Sequence, residues 1–363
     1  MRPSAREPEG SRMAGSSQAV SAEAPDAVST AFGAGETEPE SPGLRPRQLL
    51  AMYRHMVMAR AVDRKMWVLN RQGKAPFVIS GQGHEAAQVG MAAALRPGQD
   101  WVVPYYRDLA LCMAVGLTAR EFMLSIYARA EDPSSGGRQM PSHFGLRRAK
   151  IATTSSTVAT QVIHAAGIAY AAKTRGLDEV VLTCLGEGST SEGDWHEGLN
   201  FAGIHRLPFI CMVQDNDYAI SVPHRLQMGV DTVAKRAAGY GLAGETVDGG
   251  DILTVFEVAR RAVDRARSGG GATLIDVKCA RFTSHSSDDD QRRYRPQDEL
   301  EAMLHRDPIE RFRNHLLDSS VLSDADDEKL QQDCATEVEE AVAYAEQASS
   351  PSPADTTRHV YAD

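Results

Sequence analysis

The chain has 363 residues, 42% of them hydrophobic and 24% charged, which is typical of a globular protein long enough to bury a large core. Its 39 basic and 49 acidic residues give a formal net charge of −10, which argues against nucleic acid as the main partner. No stretch approaches the roughly twenty apolar residues of a membrane span, so we expect no membrane partner either.

The usage of cysteine and lysine favours a bacterial, cytoplasmic protein. The five cysteines form no Cys-x-x-Cys pair, and free thiols fit a reducing compartment. Only seven of the 39 basic residues are lysine, a composition typical of a GC-rich bacterial genome.

The N-terminal 43 residues have the composition of a solvated tail. They carry arginine and serine, as a transit peptide does, but also acidic residues that such peptides avoid, including Glu7, Glu9 and Glu23. A segment this polar buries too little apolar surface to fold. We therefore predict a disordered tail over residues 1–43 and one ordered domain over residues 44–363.

Helical spacing of apolar residues dominates the start of the ordered domain. It predicts a first helix over residues 46–72 and a second over residues 84–95. Thr118 and Glu121 have the spacing of a capping box, which predicts that a third helix covers residues 119–130.

Two segments rich in small residues follow. Residues 133–141 contain several Gly and Ser residues and predict a loop. Residues 158–173 have helical length and many alanines, so the predicted helix can pack closely against another helix or another subunit. The sequence is compatible with either partner.

Two short apolar runs, residues 180–185 and 209–213, predict buried parallel strands with a helix over residues 191–204 between them. Further alternating elements extend this βαβ unit into an α/β fold, a mostly parallel sheet with helices on both faces. Those elements are a helix over residues 232–240, a strand near 245–247, a helix over 252–267, a strand over 272–279 and a polar helix over 323–348.

Oxygen-bearing side chains follow both strands of the unit. Glu187 lies between Gly186 and Gly188 after the first strand, and Asn216 follows the second. Open α/β sheets bind ligands at the carboxyl ends of their strands. A carboxylate and an amide oxygen suit Mg²⁺, which takes further ligands from phosphate and water. The glycines allow the backbone to approach a diphosphate, and the next helix directs its N-terminal amides toward it.

A nucleotide-binding Rossmann enzyme is the alternative among α/β folds. Such an enzyme has Gly-x-Gly-x-x-Gly after its first strand. Ser191 stands where the third glycine is needed, and the expected ribose-binding acid is not evident. The motif therefore favours a metal–diphosphate site.

Other segments, read with this motif, carry a resemblance to a known family. They are Pro104 to Arg107, Gly137 to His143, Ser155 to Gln161, Ser191 to Ala202, Tyr218 to Ser221 and Arg281 to Asp289. From about Leu44 to its last helix, the chain resembles the alpha subunit of the thiamine-diphosphate-dependent 2-oxo acid dehydrogenase decarboxylase component, in its two-chain form. Gly-Arg-Gln-Met-Pro and Ala-Thr-Gln are most similar to the branched-chain 2-oxo acid dehydrogenase.

The resemblance implies the thiamine-diphosphate-binding fold and assigns roles to individual residues. Glu187 and Asn216 would be side-chain Mg²⁺ ligands, and Tyr218 would contribute its backbone carbonyl. The residues expected at the diphosphate are Tyr106, Arg107, Arg281 and His285, and His285 is the expected catalytic residue. The other expected cofactor contacts are Gly188, Ser189 and Gln214, with Ser156 and Val158 on the pyrimidine side. A structural monovalent-cation site suited to K⁺ would use Ser155, Thr157, Thr160 and Gln161.

The resemblance also implies an activity and partners. The reaction would be oxidative decarboxylation of a small-molecule 2-oxo acid, preferably branched-chain, with reductive acylation of a lipoyl group on a transacylase. The other partner would be a beta subunit, in a tetramer of two alpha and two beta chains. Alpha subunits of pyruvate dehydrogenase or acetoin dehydrogenase are alternatives. A non-catalytic assembly subunit also stays open, because no second, pyrimidine-binding domain is evident.

Several positions depart from the family pattern. Asp215 stands where Asn is usual, and Gln214 stands where the branched-chain form often has Arg. Thr157 replaces a frequent Pro, and Ser284 replaces a His. An acid at position 215 would either repel the diphosphate or face solvent.

The remaining polar residues receive structural interpretations. His143, His196 and His205 have no ligand spacing with a Cys or an acid, so we expect them to pack in the core or at an interface. Ser286 is interpreted as a loop hydroxyl. The polar loop over residues 281–295 is predicted to be mobile without cofactor and to order over the diphosphate.

Overall fold

A computed structural model describes residues 43–358. The predicted tail, apart from its last residue, lies outside this range. Among the described residues, no helix combines the length and the apolar character that a membrane crossing requires.

The described chain alternates helices and strands in the order that an α/β fold requires. The strands are β1 (Trp101–Val103), β2 (Val181–Gly186), β3 (Phe209–Asp215), β4 (Tyr218–Ala219), β5 (Val222–Pro223), β6 (Ala243–Asp248) and β7 (Thr273–Lys278). The helices are α1 (Pro46–Arg71), α2 (Glu85–Ala93), α3 (Leu109–Ala114), α4 (Ala119–Ile126), α5 (Thr160–Thr174), α6 (Gly193–Ile204), α7 (His224–Gln227), α8 (Ile252–Arg267), α9 (Gln297–Leu304), α10 (Pro308–Asp318) and α11 (Asp324–Gln347).

The main sheet has five parallel strands in the order β1-β2-β3-β7-β6, and β4 and β5 form a separate antiparallel pair. The predicted βαβ unit is confirmed as β2, α6 and β3. Gly186 at the end of β2 pairs with Gln214 of β3, so the carboxyl ends of these two strands are level with each other.

Alternate residues of each strand face two different cores, which confirms helices on both faces of the sheet. Leu182 and Met212 belong to the core that α1, α2, α8 and α11 cover. Val181 and Cys211 belong to the core that α5 and α6 cover. Because β2 and β3 are buried on both faces, their sequences are mostly apolar.

The small-residue helix α5 packs closely against α6 within the chain. A Cβ added at Gly198 of α6 would lie 2.8 Å from Val162 Cγ1 of α5, so the two helix backbones approach closely there. Tyr170 of α5, although partly exposed, also meets this neighbour, because its ring centroid lies 5.5 Å from that of Phe201 on α6. The intrachain partner of this helix is therefore α6.

Several local predictions differ from the structure. The helix expected over residues 119–130 has the predicted Thr118 capping box but ends at Ile126, and Ala128 then adopts a positive φ. Residues 233–240 form a 3₁₀ rather than an α-helix, and a 3₁₀ turn over residues 187–191 precedes α6. The elements β1, α3, β4, β5, α7, α9 and α10 were not predicted. All of them except α10, which has 11 residues, are too short to show a clear period.

Candidate active site

A cavity of about 440 Å³ lies at the carboxyl ends of β2 and β3. This is the location expected for a ligand site in an open α/β sheet. Most of the predicted site residues line it, namely Tyr106, Arg107, Ser156, Val158, Glu187, Gly188, Ser189, Asn216, Tyr218 and His285.

Two buried oxygens without a partner among the described residues lie where the motif predicts a metal. Glu187 is 1% exposed, and its Oε1 has no hydrogen-bond partner within residues 43–358, while its Oε2 accepts from the Asn216 backbone amide at 3.2 Å. The Asn216 side-chain Oδ1 is also buried, and none of the described residues pairs with it. Buried polar atoms are normally paired, so two adjacent hard oxygens left free fit a divalent cation such as Mg²⁺.

Burial and the negative charge of Asp215 raise the pKa of Glu187 to about 7. A cation bound at the free oxygens would oppose both effects, because it stabilises the ionised carboxylate. The electrostatics of this carboxylate therefore agree with a metal-ligand role.

The backbone around the motif is packed tightly against neighbouring residues. A Cβ added at Gly188 would lie 2.6 Å from the Ala219 Cβ, so no larger residue fits beneath β4. Gln227 of α7 donates its Nε2 to the carbonyl oxygens of Glu187 and Gly188, each at 3.1 Å. The same tight packing brings Tyr218, whose carbonyl is the predicted third metal ligand, to the cavity wall.

Arg107 and His285 provide the donors expected for a diphosphate. Arg107 is buried, donates its Nη1 to the Ser80 carbonyl, and places its Nη2 3.4 Å from His285 Nδ1. Burial and the adjacent Arg107 and Arg281 lower the pKa of His285 to about 4, so its imidazole is neutral at physiological pH. Tyr106 packs edge-on against His285 and beneath the Arg107 guanidinium.

Arg281 lies behind the cavity wall. It is fully buried, and its Nη2 donates to the Ile220 carbonyl and the Tyr294 hydroxyl, each at 3.0 Å. No described residue pairs with its Nε. In this structure Arg281 organises the segment next to the site, and its Nη1 lies 3.4 Å from the Tyr218 carbonyl.

Gln214 does not line the cavity. It is buried beneath it, on the sheet face that α2 covers. Its Nε2 donates to Asp108 Oδ1 at 2.5 Å, and its Oε1 accepts from Gln88 Nε2 at 3.0 Å and from His84 Nδ1 at 2.8 Å. Gln88 Nε2 also donates to the Arg107 carbonyl at 3.0 Å. Gln214 therefore supports Arg107 and the end of β3 from below.

Asp215 neither faces solvent nor points into the cavity. It is buried, and its Oδ2 pairs with Lys278 Nζ at 2.5 Å and with His224 Nδ1 at 2.9 Å. The lysine compensates the added negative charge, which still acts on Glu187 through space.

The four residues of the predicted K⁺ site have different environments. Ser155 and Thr157 are exposed, and Ser155 Oγ donates to the Thr157 carbonyl at 3.1 Å. Gln161 is buried, and its Nε2 donates to the Cys184 carbonyl of β2 at 2.9 Å, while Thr160 begins α5. The cation site stays a prediction.

The loop over residues 281–295 has internal anchors. Arg295 is buried and donates to the Arg281 carbonyl, and the Ser287 amide donates to the Val78 carbonyl at 3.0 Å. Within the loop, the His285 backbone amide donates to the Asp289 side-chain Oδ2 at 2.8 Å. Ordering of this loop by cofactor stays a prediction.

Sequence reasoning missed several residues of the wall. His143 was expected to pack in the core or at an interface, but it lies on the cavity wall with its Nε2 2.6 Å from Ser156 Oγ. Its position at the end of the segment from Gly137, which carried the resemblance, was the available signal. The apolar wall residues that were not anticipated are Phe77, Ile79, Tyr105, Met140, Pro141, Ala219 and Ile220.

Comparison with known proteins identifies the family of the chain. Residues 53–354 match the family model described as "Dehydrogenase E1 component". The chain is 46% identical over 320 residues to 2-oxoisovalerate dehydrogenase subunit alpha of Bacillus subtilis (strain 168), covering 88% of this chain and 97% of that protein. It is 37% identical over 279 residues to 3-methyl-2-oxobutanoate dehydrogenase subunit alpha of Mycobacterium tuberculosis (strain ATCC 25618 / H37Rv), covering 77% and 73%. It is also 35% identical over 323 residues to the mitochondrial 2-oxoisovalerate dehydrogenase subunit alpha of Mus musculus, covering 89% and 73%. The chain therefore belongs to the dehydrogenase E1 component family, whose cofactor is thiamine diphosphate.

Proposed function

We propose that this chain is the alpha subunit of a branched-chain 2-oxo acid dehydrogenase, of the 3-methyl-2-oxobutanoate dehydrogenase class. The reaction is oxidative decarboxylation of a branched 2-oxo acid, with transfer of the acyl group to a lipoyl group on a transacylase. The names of similar proteins from two bacteria and the mouse support this substrate class.

The single observation that carries the proposal is the pair of buried oxygens on Glu187 and Asn216, which have no partner among residues 43–358 and line the same cavity as Arg107. These two side chains and the Tyr218 carbonyl would hold Mg²⁺. Arg107 offers a charge-assisted, forked contact to the diphosphate of the cofactor. Gly188 also lines the cavity, and the absence of a side chain there would let the diphosphate approach its backbone.

When bound, thiamine diphosphate supplies the electron sink that decarboxylation of a 2-oxo acid requires. The chain positions the cofactor and shields the reacting atoms from water. Phe77, Ile79 and Met140 provide an apolar wall that suits a branched aliphatic substituent. His285, neutral because of its lowered pKa, can accept or donate a proton at its imidazole nitrogens during acyl transfer.

A beta subunit completes the site, in a tetramer of two alpha and two beta chains. Among the described residues that line the cavity, Glu187 is the sole carboxylate, and a second acid for proton transfer would come from the beta subunit. Met140 and Ile220 on the same wall are 50% and 55% exposed, and a partner chain would cover these apolar side chains. The lipoyl-bearing transacylase would be the further partner. The four residues of the predicted K⁺ set would form an additional cation site. The protein would act in the bacterial cytoplasm.

Steady-state kinetics of the chain assembled with its beta subunit test the substrate. Specificity constants for 2-oxoisovalerate and 2-oxoisocaproate should exceed that for pyruvate. A clear preference for pyruvate would transfer the assignment to pyruvate dehydrogenase, and a preference for acetoin to acetoin dehydrogenase. The alpha chain alone should be inactive, and turnover by it at the rate of the complex would contradict the shared site.

A further inference from the structure

Asp63 of α1 accepts hydrogen bonds from three consecutive residues of the segment that precedes α2. The residue is 2% exposed. Its Oδ2 accepts from the Gly81 backbone amide at 2.7 Å, and its Oδ1 accepts from Ser80 Oγ and from Gln82 Nε2, each at 2.8 Å. One buried carboxylate therefore fixes the segment of residues 80–82 to α1.

The same segment contacts Arg107, which we propose to bind the diphosphate. Arg107 donates its Nη1 to the backbone carbonyl of Ser80. A Cβ added at Gly81 would lie 2.9 Å from the Arg107 carbonyl oxygen, so the two backbones are in direct contact. The position of residues 80–82 therefore sets both the backbone position of Arg107 and the direction of its guanidinium.

We propose that Asp63 is a positioning residue that orients Arg107 for diphosphate binding through residues 80–82. Asp63 is not among the described residues that line the cavity, so it would act on the ligand only through this segment. Without the carboxylate, three donors lose a buried acceptor, and buried donors normally keep a partner. The segment would shift to find new partners, and the Ser80 carbonyl would move with it.

The orientation of Arg107 matters because a forked, charge-assisted contact requires both donors to meet the oxygens of the anion. A binding group held loosely by its supporting residues loses affinity even when it is present. The inference rests on the proposed function, since diphosphate is the ligand that Arg107 would bind.

The test measures the affinity of inorganic pyrophosphate, with Mg²⁺, for the cofactor-free complex of the chain with its beta subunit. Pyrophosphate has the diphosphate oxygens without the rings of the cofactor, so it reports on the anion site alone. Asp63→Ala should weaken its binding by about tenfold, the factor expected for the loss of one charge-assisted hydrogen bond. Asp63→Asn should stay within about twofold of the wild type, because its amide can accept from Gly81 and donate to Ser80 Oγ.

Two comparisons separate positioning from a structural role. In an Arg107→Lys background, Asp63→Ala should cause no further loss of affinity, because the fork that it positions is already absent. Asp327→Ala is the matched control, since Asp327 is also 2% exposed and accepts from three side chains, but does not line the cavity. Both alanine variants should lower the midpoint of thermal unfolding, and only Asp63→Ala should weaken pyrophosphate binding.

Ser80→Ala is a milder second variant, which decides the question if Asp63→Ala does not assemble. It removes one of the three contacts to Asp63 and keeps the backbone carbonyl that holds Arg107. Pyrophosphate should bind to it about threefold more weakly, and this loss should also disappear in the Arg107→Lys background.

Three results overturn the inference. The first is an unchanged pyrophosphate affinity in Asp63→Ala or, where that variant does not assemble, in Ser80→Ala. The second is an undiminished loss in the Arg107→Lys background, and the third is an equal loss in Asp327→Ala, which would indicate a structural role. If the wild-type complex binds neither pyrophosphate nor thiamine diphosphate, the proposed function itself fails and this inference falls with it.

Discussion

Replacing Glu187 with glutamine should stabilise the cofactor-free protein and abolish its response to Mg²⁺ and thiamine diphosphate. The carboxylate is 1% exposed, and one of its oxygens has no partner in the described part of the chain. Its other oxygen accepts a hydrogen bond from the Asn216 backbone amide, at 3.2 Å. The residue therefore carries a buried charge that the cofactor-free protein does not compensate.

The magnitude follows from the pKa of Glu187, which burial and Asp215 raise from 4.5 to about 7. Because the folded state holds this proton more tightly, the associated stability is present below about pH 4.5 and is lost as the pH rises to about 7. At about 1.4 kcal/mol per pKa unit, the loss is about 3 kcal/mol. The amide of Glu187→Gln is uncharged at every pH but leaves an N–H unsatisfied. Above pH 7 we therefore expect the variant to have a free energy of unfolding about 1–3 kcal/mol higher than the wild type.

Thermal unfolding of the purified chain in EDTA, at pH 8 and at pH 4.5, measures this gain. Glu187→Gln should have the higher midpoint at pH 8, and the difference should shrink toward zero at the lower pH. The second measurement adds the beta subunit, Mg²⁺ and thiamine diphosphate at a hundred times its Kd. The free energy of unfolding of the wild type should then rise by about 3 kcal/mol, and that of the variant should rise far less. Glu197→Gln, at an exposed position on α6, is the matched control and should change neither quantity.

Two outcomes would refute this reasoning. A variant less stable than the wild type at pH 8 in EDTA would show that burial of the charge is not costly. Undiminished stabilisation of Glu187→Gln by Mg²⁺ and cofactor would remove the metal assignment.

Three further predictions follow from neighbouring contacts. Arg107→Lys should weaken the binding of inorganic pyrophosphate with Mg²⁺ by about tenfold, because an ammonium lacks the forked donors. Calorimetric titration measures this affinity, and a change below twofold would contradict the prediction. Trypsin should cleave at the exposed Arg292 and Arg293, and cofactor with Mg²⁺ should slow the cleavage; equal rates would show that the loop does not respond. Lys278→Met leaves the buried Asp215 without its main counter-charge. A denaturant titration should show a free energy of unfolding lower by about 3 kcal/mol. An unchanged midpoint would mean that another group compensates the charge of Asp215.

The sequence by itself determined the βαβ unit and the two oxygens that follow its strands. Residues 180–185 and 209–213 are apolar runs because β2 and β3 are buried on both faces, and this burial is visible in the sequence as composition. Glu187 and Asn216 are next to those runs, and parallel strands bring their carboxyl ends to one edge. The capping box of Thr118 was predictable for a similar reason, since its contacts span one helical turn.

Only the tertiary structure decided where the remaining side chains point. Gln214 and Asp215 are adjacent in β3, but alternation sends Gln214 toward α2 and Asp215 toward Lys278. Their partners are distant in the chain, so no local pattern identifies them. His143 similarly meets Ser156 because two loops converge on the cavity, and the spacing of residues in sequence carries no information about that approach. Contacts within one strand or one helical turn can be predicted from the local sequence pattern. Contacts between loops depend on how the sheet and its helices pack.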